Sequence, residues 1–284
     1  MKRLFFFLCF LFILTGAVWA ESGIREKLQQ IKGVSDIKEM KIDSFDEYYE
    51  FWYEQPVDHE NPALGSFKQR VLLGHKKKQQ APVIVEIQGY NIWTPEAGEL
   101  ANLLDGNQLT IEHRFFNNSV PAGGVPWKYL TIKQAATDQH EVIQAIKKAI
   151  YPDSKWITTG ISKGGQTTIF HRYFYPEDVD ISVPYVAPLN LEYVDPRIQK
   201  FLDRVGSPKG GLGRYFFGSS EGNDCNWSIH KFQELCFANI DALVPKVAEY
   251  AEDKGYTFEM AGGLKRVVQL MILEYPFAFW QWGH

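Results

Sequence analysis

The chain has 284 residues, 45% of them hydrophobic and 23% charged, an ordinary globular composition that excludes wholesale disorder. A formal net charge of −4 points to neither nucleic acid nor an anionic membrane surface as a partner. The length suits one large domain, or a core carrying a subdomain, and aromatic residues at 15% favour a densely packed interior.

The first twenty residues, "MKRLFFFLCFLFILTGAVWA", read as a signal peptide. Lys2 and Arg3 form a basic start, Leu4 to Leu14 are continuously apolar, and Val18 and Ala20 suit cleavage before Glu21. The apolar run is shorter than the roughly 20 residues a membrane span needs. The expected product is therefore exported, periplasmic or extracellular, without stable membrane insertion; an uncleaved anchor is the competing reading. Export leaves Cys225 and Cys236, whose one possible pairing would be a disulfide in an oxidising compartment, against two unpaired thiols. No C-x-x-C or H-E-x-x-H occurs, so no metal site is expected.

Residues 21–45 read as a charged leader, helical near Ile24 to Ile31. "EYYEFWYEQPVDHE" alternates aromatic and polar residues (Tyr49, Phe51, Tyr53), as a half-exposed strand does, and "FKQRVLLGH" suits its partner. Short, almost wholly apolar strands follow: "PVIVEIQGY", "QLTIEHR", "KWITTG" and "ISVPYVAP". Between the second and third of these lies an amphipathic helix, "TIKQAATDQHEVIQAIKKAI", with Ala135, Val142, Ile143, Ile146 and Ile150 on one face. Buried strands alternating with helices imply a mostly parallel α/β sheet covered on both sides, with function at the carboxyl ends of its strands. After Pro188 the strand signal fades. "DPRIQKFLDRVG", "IHKFQELCFANIDALVPKVAEYAEDKG" and "LKRVVQLMILEYPFAFWQW" read as helices, with a glycine-rich loop after the first. The expected organisation is a signal peptide over 1–20, the N-terminal part of a core over 21–188, and a helical region over 189–284.

The stretch that bears on chemistry is Gly160-Ile161-Ser162-Lys163-Gly164, where the β-branched run Ile157-Thr158-Thr159 turns into a helix. A serine hydroxyl is a weak nucleophile unless a base takes its proton and the resulting oxyanion is stabilised. A sharp strand-to-helix turn lifts the hydroxyl above the sheet edge and aims the first N–H groups of the helix at the developing charge. Bulky residues two positions either side would collide, and G-x-S-x-G is that steric requirement in sequence form. The competing reading is a tight turn with an incidental serine. The backbone N–H groups of Lys163 and of Tyr90, in the loop after an earlier strand, are the candidate oxyanion donors. The Lys163 side chain is expected at the surface, with a contact to an acidic substrate group as the other reading. No base is evident: His171 lies nine residues beyond Ser162, roughly 13 Å along a helix. His113 precedes the serine, and this architecture orders its triad Ser, Asp/Glu, His.

Four segments, "YEQPVDHENPALGSFKQRVLL", "IEHRFFNNSVP", "WKYLTIKQAATDQHEVI" and "GISKGGQTTIFHRYFYPEDVDISVPYVAPLN", together resemble the exported serine aminopeptidases of the tripeptidyl (prolyl) aminopeptidase family. That family is related to prolyl carboxypeptidase and the lysosomal dipeptidyl peptidases. The resemblance runs from about Phe45 to Gly206. It implies an α/β-hydrolase core, a helical cap over 189–284, no cofactor, and peptide substrates with a free N-terminus, cut through an acyl-enzyme. Only the nucleophile carries over, onto Ser162. The family's acid and base lie beyond the cap and have no counterpart here, so the C-terminal strands are expected to be missing from a truncated sequence. Glu112 is a candidate for holding the substrate's amine, with a structural ion pair as the other reading. An esterase or lipase on the same fold and a non-catalytic peptide-binding homologue are the rival functions.

Overall fold

The computed structural model describes residues 23–192, 195–206 and 225–283. The expected signal segment, the glycine-rich stretch from Gly210 to Gly222 and the terminal His284 lie outside the described residues.

A short helix, α1 (Ile24–Gln29), leads into β1 (Val34–Met40), and β2 (Glu47–Pro56) and β3 (Ser66–His75) continue an antiparallel meander. The remaining strands are β4 (Val83–Ile87), β5 (Asn107–Ile111), β6 (Trp156–Ile161) and β7 (Ile181–Tyr185), in one seven-stranded sheet of order β1-β2-β3-β5-β4-β6-β7. β3 pairs antiparallel with β5, whereas β5–β4, β4–β6 and β6–β7 are parallel. The expectation of a mostly parallel sheet is thus corrected: the sheet is mixed, and its parallel half is confined to β4 through β7. Connection length accounts for the division. Parallel neighbours need a crossover, supplied by α2 (Glu99–Leu104), α3 (Ile132–Ala149) and α4 (Lys163–Phe174), while residues 57–65 are enough for the turn from β2 to β3.

β1 was not legible as a strand. It is an edge strand with a register shift between Ser35 and Lys38, and its side chains are half-buried or exposed throughout, so neither alternation nor an apolar run marks it. The "half-exposed" β2 is buried on both sides. Tyr49, Phe51 and Tyr53 join the main core, and Tyr48 packs on the other face with Leu72 and Ile92. The main core lies between that first face and the helices: Val71, Val85, Leu109 and Trp156 from the sheet meet Leu28 of α1 and Val142, Ile143 and Ile146 of α3. Thr131 caps α3 by accepting from the Gln134 N–H, and the expected apolar stripe of α3 is the buried one.

The chain divides into two compact units after Leu189. The described part of the second is helical: α5 (Pro196–Leu202), α6 (Cys225–Ala238), α7 (Ile240–Asp253) and α8 (Leu264–Trp282). The single long helix expected across 229–255 is two, interrupted at Asn239, a residue whose side chain competes for backbone hydrogen bonds. Within this unit Ile229, Ala251, Val268 and Ile272 are buried, and Phe232 packs on Tyr275 with ring centroids 4.6 Å apart.

The expected Cys225–Cys236 disulfide is corrected here. Both thiols are free and both lie on α6. Eleven residues along one helix is roughly 16 Å, whereas a disulfide needs Cα atoms within about 7 Å. Alkylation of the unreduced, denatured protein followed by peptide mass mapping is therefore expected to find Cys225 and Cys236 both modified; a Cys225–Cys236 crosslinked peptide would contradict this geometry.

Candidate active site

β6 runs straight into α4 through one residue. Ser162 has φ 56° and ψ −119°, a conformation that costs a side-chain-bearing residue about 1–3 kcal/mol and persists only where the surroundings impose it. They do so by contact. A Cβ on Gly160 would lie 2.4 Å from the Gly164 carbonyl oxygen and 2.6 Å from that of Ile87, and one on Gly164 would lie 2.6 Å from the same Ile87 oxygen. Strand β4, the end of β6 and the first turn of α4 thus touch backbone to backbone. The Ser162 N–H donates to the Tyr185 carbonyl of β7 at 3.1 Å, and its own carbonyl accepts the Gln166 N–H at 3.0 Å. The side chain of Ser162 is exposed and makes no cap to the helix. This strand–elbow–helix in a mixed, helix-covered sheet makes the first unit an α/β-hydrolase fold.

The loop after β4 lies against the elbow and is pinned from β5. The Gln88 N–H donates to the Ile111 carbonyl at 3.1 Å, and the His113 N–H to the Tyr90 carbonyl at 2.9 Å. Glu112 completes the attachment. Its side chain is fully buried, with Oε1 accepting the Ile92 N–H at 3.0 Å and Oε2 accepting the Ser119 hydroxyl at 2.6 Å. A carboxylate already engaged by these donors and sealed from solvent does not face a substrate amine, so its part is to hold the 88–92 loop.

Arg114 does not pair with Glu112. Its guanidinium, also fully buried, forks onto Asp138 of α3 at 2.7 and 2.8 Å and donates to the carbonyls of Val57, Tyr129 and Pro56. His59 meets the same carboxylate at 2.7 Å, and Gln55 donates to the Asp138 carbonyl. The residues of "QPVDH" therefore pack the end of β2 onto α3. Asp138 went unremarked in the sequence, yet it sits on the apolar stripe of α3, and an acid on such a stripe announces a buried partner.

The Lys163 side chain does not extend into solvent as expected. It is half-buried, with Nζ donating to the Gly89 carbonyl at 2.7 Å and standing 4.5 Å and 4.7 Å from the ring centroids of Tyr90 and Phe116. Burial holds its pKa below the ordinary lysine range.

The five histidines of the first unit are engaged away from Ser162. His113 Nδ1 meets the Arg114 carbonyl at 3.0 Å, and burial, followed by the neighbouring Lys163 charge, pushes its pKa down to about 4. His75 bonds the Tyr151 hydroxyl, and His59 bonds Asp138. His140 and His171 share Asp178. Burial raises the Asp178 carboxyl, but the hydrogen bonds from His171 and His140 outweigh it and hold that acid below its usual range. His230, on α6, belongs to the second unit. Among the described residues no cluster of three His, Cys, Asp or Glu side chains could hold a metal ion.

The profile of the PS-10 peptidase S37 family matches residues 19–284. The chain belongs to this family. Among curated relatives, the prolyl tri/tetrapeptidyl aminopeptidase of Streptomyces mobaraensis is 33% identical over 264 residues, covering 92% of this chain and 51% of that protein. The thymus-specific serine protease of Mus musculus is 30% identical over 153 residues, 49% of this chain and 30% of the relative. The chain thus spans about half the length of the first relative and under a third of the second. Acetyl xylan esterase 1 from Thermoanaerobacterium sp. JW/SL YS485, a solved structure, matches 67% of this chain and 68% of its own at 14% identity and a TM-score of 0.42. The family is the one the four sequence segments resembled.

Two outcomes follow for this S37 chain. Cutting Asp138 back to alanine strands a buried guanidinium, so Asp138→Ala is expected to cost roughly 3–5 kcal/mol, read as a lowered urea midpoint. His113 is held neutral in the fold while an unfolded histidine takes up a proton near pH 6.5. The unfolded state therefore binds more protons below that pH, and stability should fall by about 3 kcal/mol between roughly pH 6.5 and 4. Urea titrations across this range should show His113→Gln losing much less than the parent.

Proposed function

We propose that this protein is an exported serine peptidase that removes short peptides from free N-termini through an acyl-enzyme on Ser162. The observation that carries the reading is the exposed serine held at positive φ where β6 meets α4, beside the loop after β4. The name of the Streptomyces relative, a prolyl tri/tetrapeptidyl aminopeptidase, supports the substrate class. Export rests on the basic and apolar character of residues 1–20.

In this mechanism the Ser162 hydroxyl attacks the carbonyl of the scissile bond and the negative charge moves onto the carbonyl oxygen. The first N–H of α4, at Lys163, and the Tyr90 N–H donate to that oxygen. Collapse of the tetrahedral intermediate expels the downstream peptide as an amine and leaves an ester on Ser162, which water hydrolyses. A base takes the serine proton and returns it to the leaving amine. Since the five histidines of the first unit are bonded elsewhere, this reading takes none of them as the base.

In protein of the relatives' full length, Ser162→Ala is expected to reduce hydrolysis of a tripeptidyl-nitroanilide by at least about 10³-fold while the melting temperature stays near that of the parent. Unchanged turnover would refute the nucleophile. A short-acyl nitrophenyl ester run in parallel should be the poorer substrate; a strong preference for it would replace the peptidase by an esterase.

A further inference from the structure

A lysine in the first turn of a helix is electrostatically misplaced, because the N-terminus already carries the positive end of the macrodipole. Lys163 occupies that position in α4, and its side chain folds back rather than escaping to water. Nζ gives a hydrogen bond to the Gly89 carbonyl at 2.7 Å and rests between the faces of Tyr90 and Phe116. Those rings meet edge to face, with centroids 5.3 Å apart. The loop and the elbow are in direct contact here: a Cβ on Gly89 would fall 2.6 Å from the Lys163 Cβ and 2.7 Å from the Gly164 nitrogen.

Peptide geometry turns this contact into a constraint on a neighbouring donor. The peptide linking Gly89 to Tyr90 is trans and planar, so its C=O and N–H point in opposite directions. Anchoring the Gly89 oxygen on the ammonium therefore fixes where the Tyr90 N–H points. The next carbonyl, that of Tyr90, is fixed by the His113 N–H at 2.9 Å, and the Ile92 N–H is taken by Glu112. The Tyr90 N–H itself has no backbone acceptor among the described residues. An ammonium on the carbonyl side also polarises the peptide and strengthens the opposite N–H as a donor.

We infer that the Lys163 side chain is a positioning residue: it locks the Gly89–Tyr90 peptide so that the Tyr90 N–H joins the N–H of Lys163 itself in receiving the oxyanion formed at Ser162. One residue then sets both donors, one through its own backbone and the other through its ammonium. The inference rests on the Ser162 reading above and adds to it how the second donor is held.

The test compares Lys163→Met, which keeps an unbranched stem without the charge, with Lys163→Arg, which keeps a cationic donor. Two rates are measured in protein of the relatives' full length: labelling of Ser162 by a fluorophosphonate, and hydrolysis of a tripeptidyl-nitroanilide with kcat and KM resolved. Complete loss of one oxyanion donor costs about 10²–10³ in kcat, so a donor left in place but unanchored is expected to cost about 10- to 100-fold in kcat and in labelling rate. KM should stay within about threefold, and Lys163→Arg should recover most of the loss. In the parent, the labelling rate should also decline on the alkaline side, below the ordinary lysine range, as Lys163 gives up its proton; Lys163→Arg should lack that decline. This comparison stands even if Lys163→Met fails to fold. Parent-like labelling by Lys163→Met, or an identical alkaline limb in parent and Lys163→Arg, overturns the role of Lys163 alone. A parent protein of the relatives' full length that is never labelled at Ser162 overturns the serine-peptidase reading, and the role of Lys163 with it.

Discussion

The close approach of three backbone segments is the constraint on which the site depends. The end of β4, the end of β6 and the first turn of α4 meet at distances no side chain could tolerate, with the Ile87 carbonyl oxygen at the centre. Because Gly160 and Gly164 let the chain pass, β6 can turn into α4 within a single residue, and that residue must take a positive φ. The strain at Ser162 is a consequence of packing, over-determined by hydrogen bonds to β7 and into α4. A serine placed this way exposes its hydroxyl and sits beside helix N–H groups that have no intrahelical acceptor.

Around this point the structure spends its buried charges on holding loops. Glu112, His113 and Arg114 leave the end of β5 in succession, and each engages a different neighbour. Glu112 fastens the loop after β4, the His113 backbone fastens Tyr90, and Arg114 fastens the end of β2 to α3 through Asp138. An isolated charge would be costly in such an interior, and each is satisfied by partners distant in sequence: Glu112 by Ile92, Arg114 by Asp138. Three adjacent polar residues that look like an active-site cluster are instead the fixings that keep one rigid. Lys163 extends the scheme from the elbow itself, reaching back to the Gly89 carbonyl.

The elements with strong local signals were legible. The apolar strands β4 to β7 and the amphipathic α3 lie where periodicity put them, and G-x-S-x-G in its strand-to-helix setting located Ser162. What local pattern could not reveal falls into recognisable kinds. β1 is an edge strand without alternation. Cys225 and Cys236 looked pairable as a count of two thiols, but a shared helix holds them apart. The Lys163 side chain looked like surface because nothing near it in sequence could receive its charge; its acceptor is 74 residues earlier.

The sequence by itself determined the alternation of strands and helices, the sharp turn at Ser162 and the family, because each is written in short-range spacing of residue types and in the order of segments. Only the tertiary structure decided which polar groups face one another: that Glu112 holds a loop, that Arg114 belongs to Asp138, that the sheet is half antiparallel, and that the lysine beside Ser162 bonds the loop after β4. Such pairings join residues from tens of positions apart, and a buried charge takes whichever partner the folded chain brings within about 3 Å.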